Sequence, residues 1–96
     1  MPLRDAAYVN AVMTATEAKS QAVLEAGFGA TGTASDALCV AAPGAAAPGA
    51  AAAGAGEPED FAGPRSLWGA RIARAVHSAV HAGAVRYRAA STPMES

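Results

Sequence analysis

Residues 14–43 contain most of the residue types that can do polar chemistry, namely Thr, Ser, Glu, Asp, Lys and Cys. Within that stretch, residues 31–36, TGTASD, hold three hydroxyls, a glycine and a carboxylate in six positions. Hydroxyl and carboxylate side chains compete for backbone hydrogen bonds, so one interpretation is a structured turn in which Asp36 accepts backbone N–H bonds. The other is a loop that lines a substrate site, where backbone N–H groups stabilise an oxyanion and a hydroxyl or Asp36 takes part in the attack.

Glu17 and Lys19 are a second polar pair, but they are two residues apart and so would not face each other on a helix. Residues 14–17, TATE, have the form of a capping box, in which the Thr14 hydroxyl and the Glu17 carboxylate bind backbone N–H groups. Capping alone is a sufficient role for Glu17. A carboxylate beside a helix N-terminus can also bind or activate a water for hydrolysis, and the two roles are compatible.

The spacing of His77 and His81, i and i+4, would allow both imidazoles to meet one metal ion. Arg71 and Arg74 share their predicted helix face, however, and their positive charges oppose a cation. No third ligand is near in sequence, so we predict no metal and a solvated helix face.

Cys39 is the only cysteine, which excludes an internal disulfide and favours a reducing compartment. It lies in an apolar run and is predicted to be a small core residue with an unreactive thiol. The formal net charge of −1 predicts neither nucleic acid nor an anionic membrane as a partner. The sequence also lacks a secretory signal pattern and a run of about 20 apolar residues free of Gly and Pro, so a cytoplasmic location is expected.

The first half of the chain predicts helices followed by a loop. Asp5 is suited to cap a helix running to about residue 13, a segment for which a strand is the alternative, and the capping box would start a second helix over residues 15–26. Gly27 is suited to end that helix in the left-handed conformation. Residues 28–35 are then a glycine-containing loop.

The second half predicts a strand, a linker and a long helix. Residues 37–42 suit a short buried strand, whereas residues 43–60 are rich in Ala, Gly and Pro and suit a disordered linker. Ser66 would cap a helix over residues 67–87, followed by a tail over residues 89–96. The apolar arc of that helix is formed by Trp68, Ile72, Val76, Ala79, Val80 and Gly83.

These elements predict one domain over residues 1–88 of the α/β class, with α+β as the alternative. Hydrophobic residues are 52% of the 96, but 29 of them are alanines, so few large side chains remain for a core. Chains of this size have thin cores, and independent folding is therefore in question.

Three ordered blocks resemble the adenosylcobinamide amidohydrolase, or CbiZ, family. They are residues 17–19, EAK; residues 31–36, in which Ser35 replaces a family threonine and keeps the hydroxyl; and residues 61–63, FAG, leading into residues 67–76. The resemblance implies a catalytic set and a substrate-binding set. The catalytic set is Glu17, Thr31, Thr33 and Asp36, and the substrate-binding set is Lys19, Gly32, Ser35 and Gly63.

The implied activity belongs to cobalamin salvage: hydrolysis of the amide of adenosylcobinamide, giving adenosylcobyric acid and aminopropanol. The corrinoid with its cobalt would be the substrate, and no cofactor is implied. The family's domain is longer, so the resemblance implies that this chain is its C-terminal half and is inactive alone. The alternative is a truncated, non-catalytic remnant or a small helical interaction module; no oligomeric state is indicated.

Overall fold

The computed structural model describes residues 2–44 and 58–91, which form two packed helices, α1 (Asp5–Glu25) and α2 (Leu67–Ser91). Within those residues the only β pairing is an isolated parallel bridge between Leu3 and Glu59. The described fold is therefore all-helical, and the predicted α/β class and its α+β alternative are both wrong.

Helix α1 is one continuous helix of 21 residues, so the predicted break at the capping box is wrong. Thr14 lies inside the helix, and its hydroxyl donates to the carbonyl oxygen of Ala62 at 2.7 Å instead of capping. Residues 5–25 contain neither Gly nor Pro, so no backbone constraint interrupts the helix there. The N-cap is Arg4 rather than Asp5, which lies in the first turn, where its negative charge is favourable.

Gly27 ends α1 as the sequence predicted. Its φ is 99°, its N–H donates to Leu24 O at 3.0 Å, and the N–H of Phe28 donates to Val23 O at 3.3 Å. These two bonds form a Schellman motif, which satisfies carbonyl groups at the helix end and needs a residue that tolerates positive φ. The chain turns here, and the segment after Gly27 returns along α1. Helix α2 then runs in the same direction as α1, from Ile72 beside Ala7 and Ala11 to Arg88, whose Nη1 donates to Ala26 O at 3.0 Å.

The predicted strand over residues 37–42 is wrong, because no strand is assigned there. Val40 and Ala42 pack beside the core, and the Tyr8 hydroxyl donates to Ala42 O at 3.2 Å. Leu38 is 38% exposed and Cys39 is also exposed, which corrects the prediction that Cys39 is a core residue. A strand needs a neighbouring strand for its N–H and C=O groups, and the described residues offer none to this segment.

Most of the predicted linker, residues 45–57, lies outside the described residues, as does the end of the predicted tail, residues 92–96. Residues 58–60, the described end of the predicted linker, contact the N-terminus, where the N–H of Glu59 donates to Pro2 O at 2.9 Å. Arg4 Nε lies 2.6 Å from the Asp60 carboxylate. The prediction that Ser66 caps α2 is confirmed, since its Oγ accepts the N–H of Gly69 at 3.0 Å.

Within the described ranges, neither helix is long and apolar enough to cross a membrane.

The two helices pack against each other through small side chains. The buried face of α1 consists of Ala7, Ala11, Thr14, Ala15, Ala18 and Ala22. On α2 the contact face is rotated from the predicted arc, because Ala79 is exposed whereas His77 and His81 are half-buried. Between residues 67 and 90 only Gly69 is buried, so α2 remains largely exposed.

Candidate functional site

A loop cluster of Lys19, Gly32, Thr33 and Asp36 gathers half of the predicted site residues. Lys19 Nζ, on α1, donates to Asp36 Oδ2 at 3.0 Å. Thr33 Oγ1 donates to Asp36 Oδ1 at 2.5 Å. The turn after Gly27 carries the loop back beside α1, and this places Asp36 against a lysine 17 residues earlier.

Asp36 is held in its charged form by these partners. The hydrogen bond from the Thr33 hydroxyl, then that from Lys19, and then a backbone bond from Thr33 lower its pKa from 3.8 to about 2. A carboxylate that is so acidic is a weak base near neutral pH. The geometry therefore favours Asp36 as a group that orients Thr33 and Lys19.

Gly32 allows the loop to approach this ion pair. A Cβ at residue 32 would collide with Asp36 Oδ2 and would lie 2.7 Å from Lys19 Nζ. Its backbone φ is not positive, so an alanine here would displace the ends of the Lys19 and Asp36 side chains rather than strain the backbone. Thr31 and Ser35 are exposed, and within the described residues their side chains have no hydrogen-bond partner.

The ion pair lies in a cleft of about 440 Å³, which we call the loop cleft. Its walls are largely apolar: Thr16, Val23, Ala37, Leu38 and Val80 line it with Lys19 and Asp36. Apolar walls with a few convergent polar groups are typical of sites for small molecules. An ammonium group in such a cleft can donate to a carbonyl oxygen and stabilise negative charge that develops on it.

Glu17 is not part of the loop cluster. It lies in a separate cleft between α1 and α2, of about 380 Å³, which we call the interhelical cleft. This cleft is lined by Thr14, Glu17, Ala18, Gln21, Glu25, Pro64, Ala73, Arg74 and His77. The expected divergence of Glu17 from Lys19 on the helix is confirmed, because the two side chains line different clefts.

One wall of the interhelical cleft is closed by polar contacts. Glu25 accepts a hydrogen bond from Gln21 at 2.7 Å and lies 3.0 Å from His77 Nε2. Both hydrogen bonds lower the pKa of Glu25, and the bond from Gln21 has the larger effect. His81 stacks on His77 with 5.6 Å between ring centroids. In the described part of the chain, no group of three His, Cys, Asp or Glu side chains is arranged to hold a metal ion.

Gly63 and Asn10 position α2. The carbonyl oxygen of Gly63 accepts the Ser66 hydroxyl at 2.8 Å, so Gly63 shapes the start of α2. Asn10 Oδ1 accepts the N–H of Ala62 at 3.4 Å, one helical turn before the Thr14 bond to the Ala62 carbonyl. Asn10 was not predicted from the sequence. The only signal for it was its spacing of four residues from Thr14, which places two polar side chains on one face of an alanine-rich helix.

A comparison with known families gives the class of this protein. Residues 1–92 match the model of the CbiZ family, described as adenosylcobinamide amidohydrolase. The chain therefore belongs to the adenosylcobinamide amidohydrolase family, and the resemblance found in the sequence is confirmed. No curated protein and no solved structure matches the chain.

Proposed function

We propose that this protein acts in cobalamin salvage and hydrolyses the amide bond of adenosylcobinamide, giving adenosylcobyric acid and aminopropanol. Membership of the family supports the reaction class. The choice of site rests on the loop cluster, in which the Asp36 carboxylate binds both the Lys19 ammonium and the Thr33 hydroxyl beside an apolar cleft.

Each member of the loop cluster has a distinct proposed role. The Lys19 ammonium donates to the amide carbonyl oxygen and stabilises the negative charge that develops when the carbonyl carbon is attacked. Asp36 stays ionised, keeps Lys19 in place and orients the Thr33 hydroxyl. Gly32 leaves the space that this arrangement occupies.

Two routes of attack are consistent with these contacts. In one, Thr33 Oγ1 bonds to the carbonyl carbon, the C–N bond breaks as the hydroxyl proton passes to the leaving amine, and water then hydrolyses the ester to release the acid and restore the Thr33 hydroxyl. In the other, water attacks directly and Thr33 only positions it. Thr33→Ala separates them, since loss of the nucleophile should abolish turnover whereas loss of a positioning hydroxyl should only slow attack by water; Thr33→Ser should remain active in both routes.

The proposal requires no bound cofactor, because the cobalt belongs to the corrinoid substrate. A cytoplasmic location is proposed with it, supported by the lone, exposed Cys39 thiol. Nucleic acid and membranes are not proposed partners, in keeping with the formal net charge of −1.

The deciding experiment compares two glycine variants of the loop. Gly32→Ala should displace the flexible ends of Lys19 and Asp36, whereas Gly29→Ala, with nothing within 4 Å of its Cβ, is the matched control. Adenosylcobinamide turnover is followed by chromatographic detection of aminopropanol. We expect Gly32→Ala to lower kcat/KM by roughly 10² with little change in Tm, as for loss of a positioned catalytic group.

The assay uses the full protein as the cell expresses it. Equal activity of both glycine variants would remove the loop cleft from the proposal. A folded wild-type protein that releases no aminopropanol would reject the amidohydrolase assignment.

The second candidate function is an interaction module without catalysis. Exposed apolar side chains favour it: Val9 and Met13, one turn apart on α1, and Phe61, beside the α1 contact of Ala62, are each more than 60% exposed. Such side chains commonly mark contact surfaces. This candidate would be preferred if turnover is absent while sedimentation shows a stable complex.

A further inference from the structure

The interhelical cleft contains charges of both signs that are not engaged with each other. Glu17 projects from α1 and Arg74 from α2, and both line the cleft. Among residues 2–44 and 58–91, neither side chain forms an ion pair or a side-chain hydrogen bond. Since Thr14 does not cap a helix at this point, the capping role that would have explained Glu17 is also absent.

The charges decide which ligand chemistry suits this cleft. An anion would face Glu17 and Glu25, and a cation would face Arg74. A neutral primary carboxamide avoids both conflicts, because its N–H groups can donate to a carboxylate while its carbonyl oxygen accepts from a guanidinium. Ala18, Pro64 and Ala73 supply apolar wall for the methylene groups that carry the amide.

We propose that the interhelical cleft is a carboxamide-binding subsite, with Glu17 as the acceptor and Arg74 as the donor. The inference rests on the proposed function, which supplies a large macrocyclic substrate with amide side chains. The volume of the interhelical cleft, about 380 Å³, is within the range of about 300–1,000 Å³ found for ligand pockets. Lys19 and Glu17 are on one rigid helix, so the two clefts are held at a fixed separation.

The proposed division of roles has a kinetic consequence. Glu17 and Arg74 bind a part of the substrate away from the reacting amide, so their loss removes binding that is equal in the ground and transition states. Such a loss raises KM and leaves kcat unchanged. Substitutions in the loop cluster should instead lower kcat.

The test uses small probes so that it does not depend on turnover. Propionamide, propionate and propylammonium are titrated in turn into the 15N-labelled protein, and backbone amide shifts are recorded for Ala18 and Ala73. We expect propionamide alone to shift both signals, and the response to disappear in Glu17→Met and Arg74→Met. Arg71→Met is the matched control, because Arg71 stacks on Trp68 at 4.6 Å and does not line the cleft.

Turnover of adenosylcobinamide provides the second measurement. Arg74→Met should raise KM by roughly tenfold or more with kcat unchanged, as expected for loss of a hydrogen bond to a charged group. Unchanged KM in an active enzyme, or stronger shifts with propionate than with propionamide, would overturn the subsite. Propionamide binding in a protein that releases no aminopropanol would support the subsite and reject only the proposed reaction.

Discussion

The hydrogen bond between Thr14 and Ala62 offers the sharpest test of how α1 holds the segment that leads into α2. Thr14 is 2% exposed and Ala62 is 0% exposed, and their bond of 2.7 Å joins residues 48 apart in sequence. Thr14→Val keeps the β-branched shape and removes the donor. The Ala62 carbonyl is then left buried without that partner.

An unsatisfied buried carbonyl costs about 1–3 kcal/mol, and the helix propensities of Val and Thr are nearly equal. For a chain of 96 residues, each kcal/mol corresponds to about 4–8 °C in Tm. Thermal unfolding followed by far-UV circular dichroism should therefore show Thr14→Val at least several degrees below wild type. Thr14→Ser, which retains the hydroxyl, should recover part of that loss.

Thr16→Val is the matched control on the same helix. The Thr16 hydroxyl also donates at 2.7 Å, but to Val12 O within the helix and in an exposed position. Water can replace that bond, so the control should change Tm little. A loss at Thr16 equal to that at Thr14 would contradict the assignment of the Thr14 bond as a buried tertiary contact.

Two further predictions concern packing and pH. A Cβ at Gly69 would collide with the Gly63 carbonyl oxygen and lie 2.6 Å from the Gly63 carbonyl carbon, so Gly69→Ala should cost about 1–3 kcal/mol in chemical denaturation. Gly83→Ala, with nothing within 4 Å, should stabilise by about 0.5–1 kcal/mol, and the same sign for both would contradict the packing. The lowered pKa of Asp36 contributes stability that is present above its ordinary value of 3.8 and is lost as pH falls through about 2. The stability difference between wild type and Asp36→Asn should shrink over that interval, and a constant difference would contradict the lowered pKa.

Local sequence signals were sufficient to predict helix ends at positions where a single residue type determines the backbone conformation. Gly27 ends α1 because the Schellman turn needs positive φ, and Ser66 starts α2 because its hydroxyl reaches the N–H of Gly69. The family was also identifiable, since residues 17–19, 31–36 and 61–63 are ordered along the chain. Gly32 stays a predicted site residue, and the structure shows that a Cβ at this position would meet Asp36 and Lys19.

The sequence by itself determined where the chain turns and which polar residues are available; the tertiary structure decided which of them meet. Residues 14–17, TATE, are compatible with either the start or the interior of a helix. The interior is observed, where the Thr14 hydroxyl binds the Ala62 carbonyl, 48 residues away in sequence, instead of capping. Residues 37–42 have the composition of a strand, but strand formation needs a partner, which the described residues do not provide. Asp36 joins Lys19 while Glu17 faces α2, because helical geometry directs residues two apart to different sides and the packing of each side selects its neighbours.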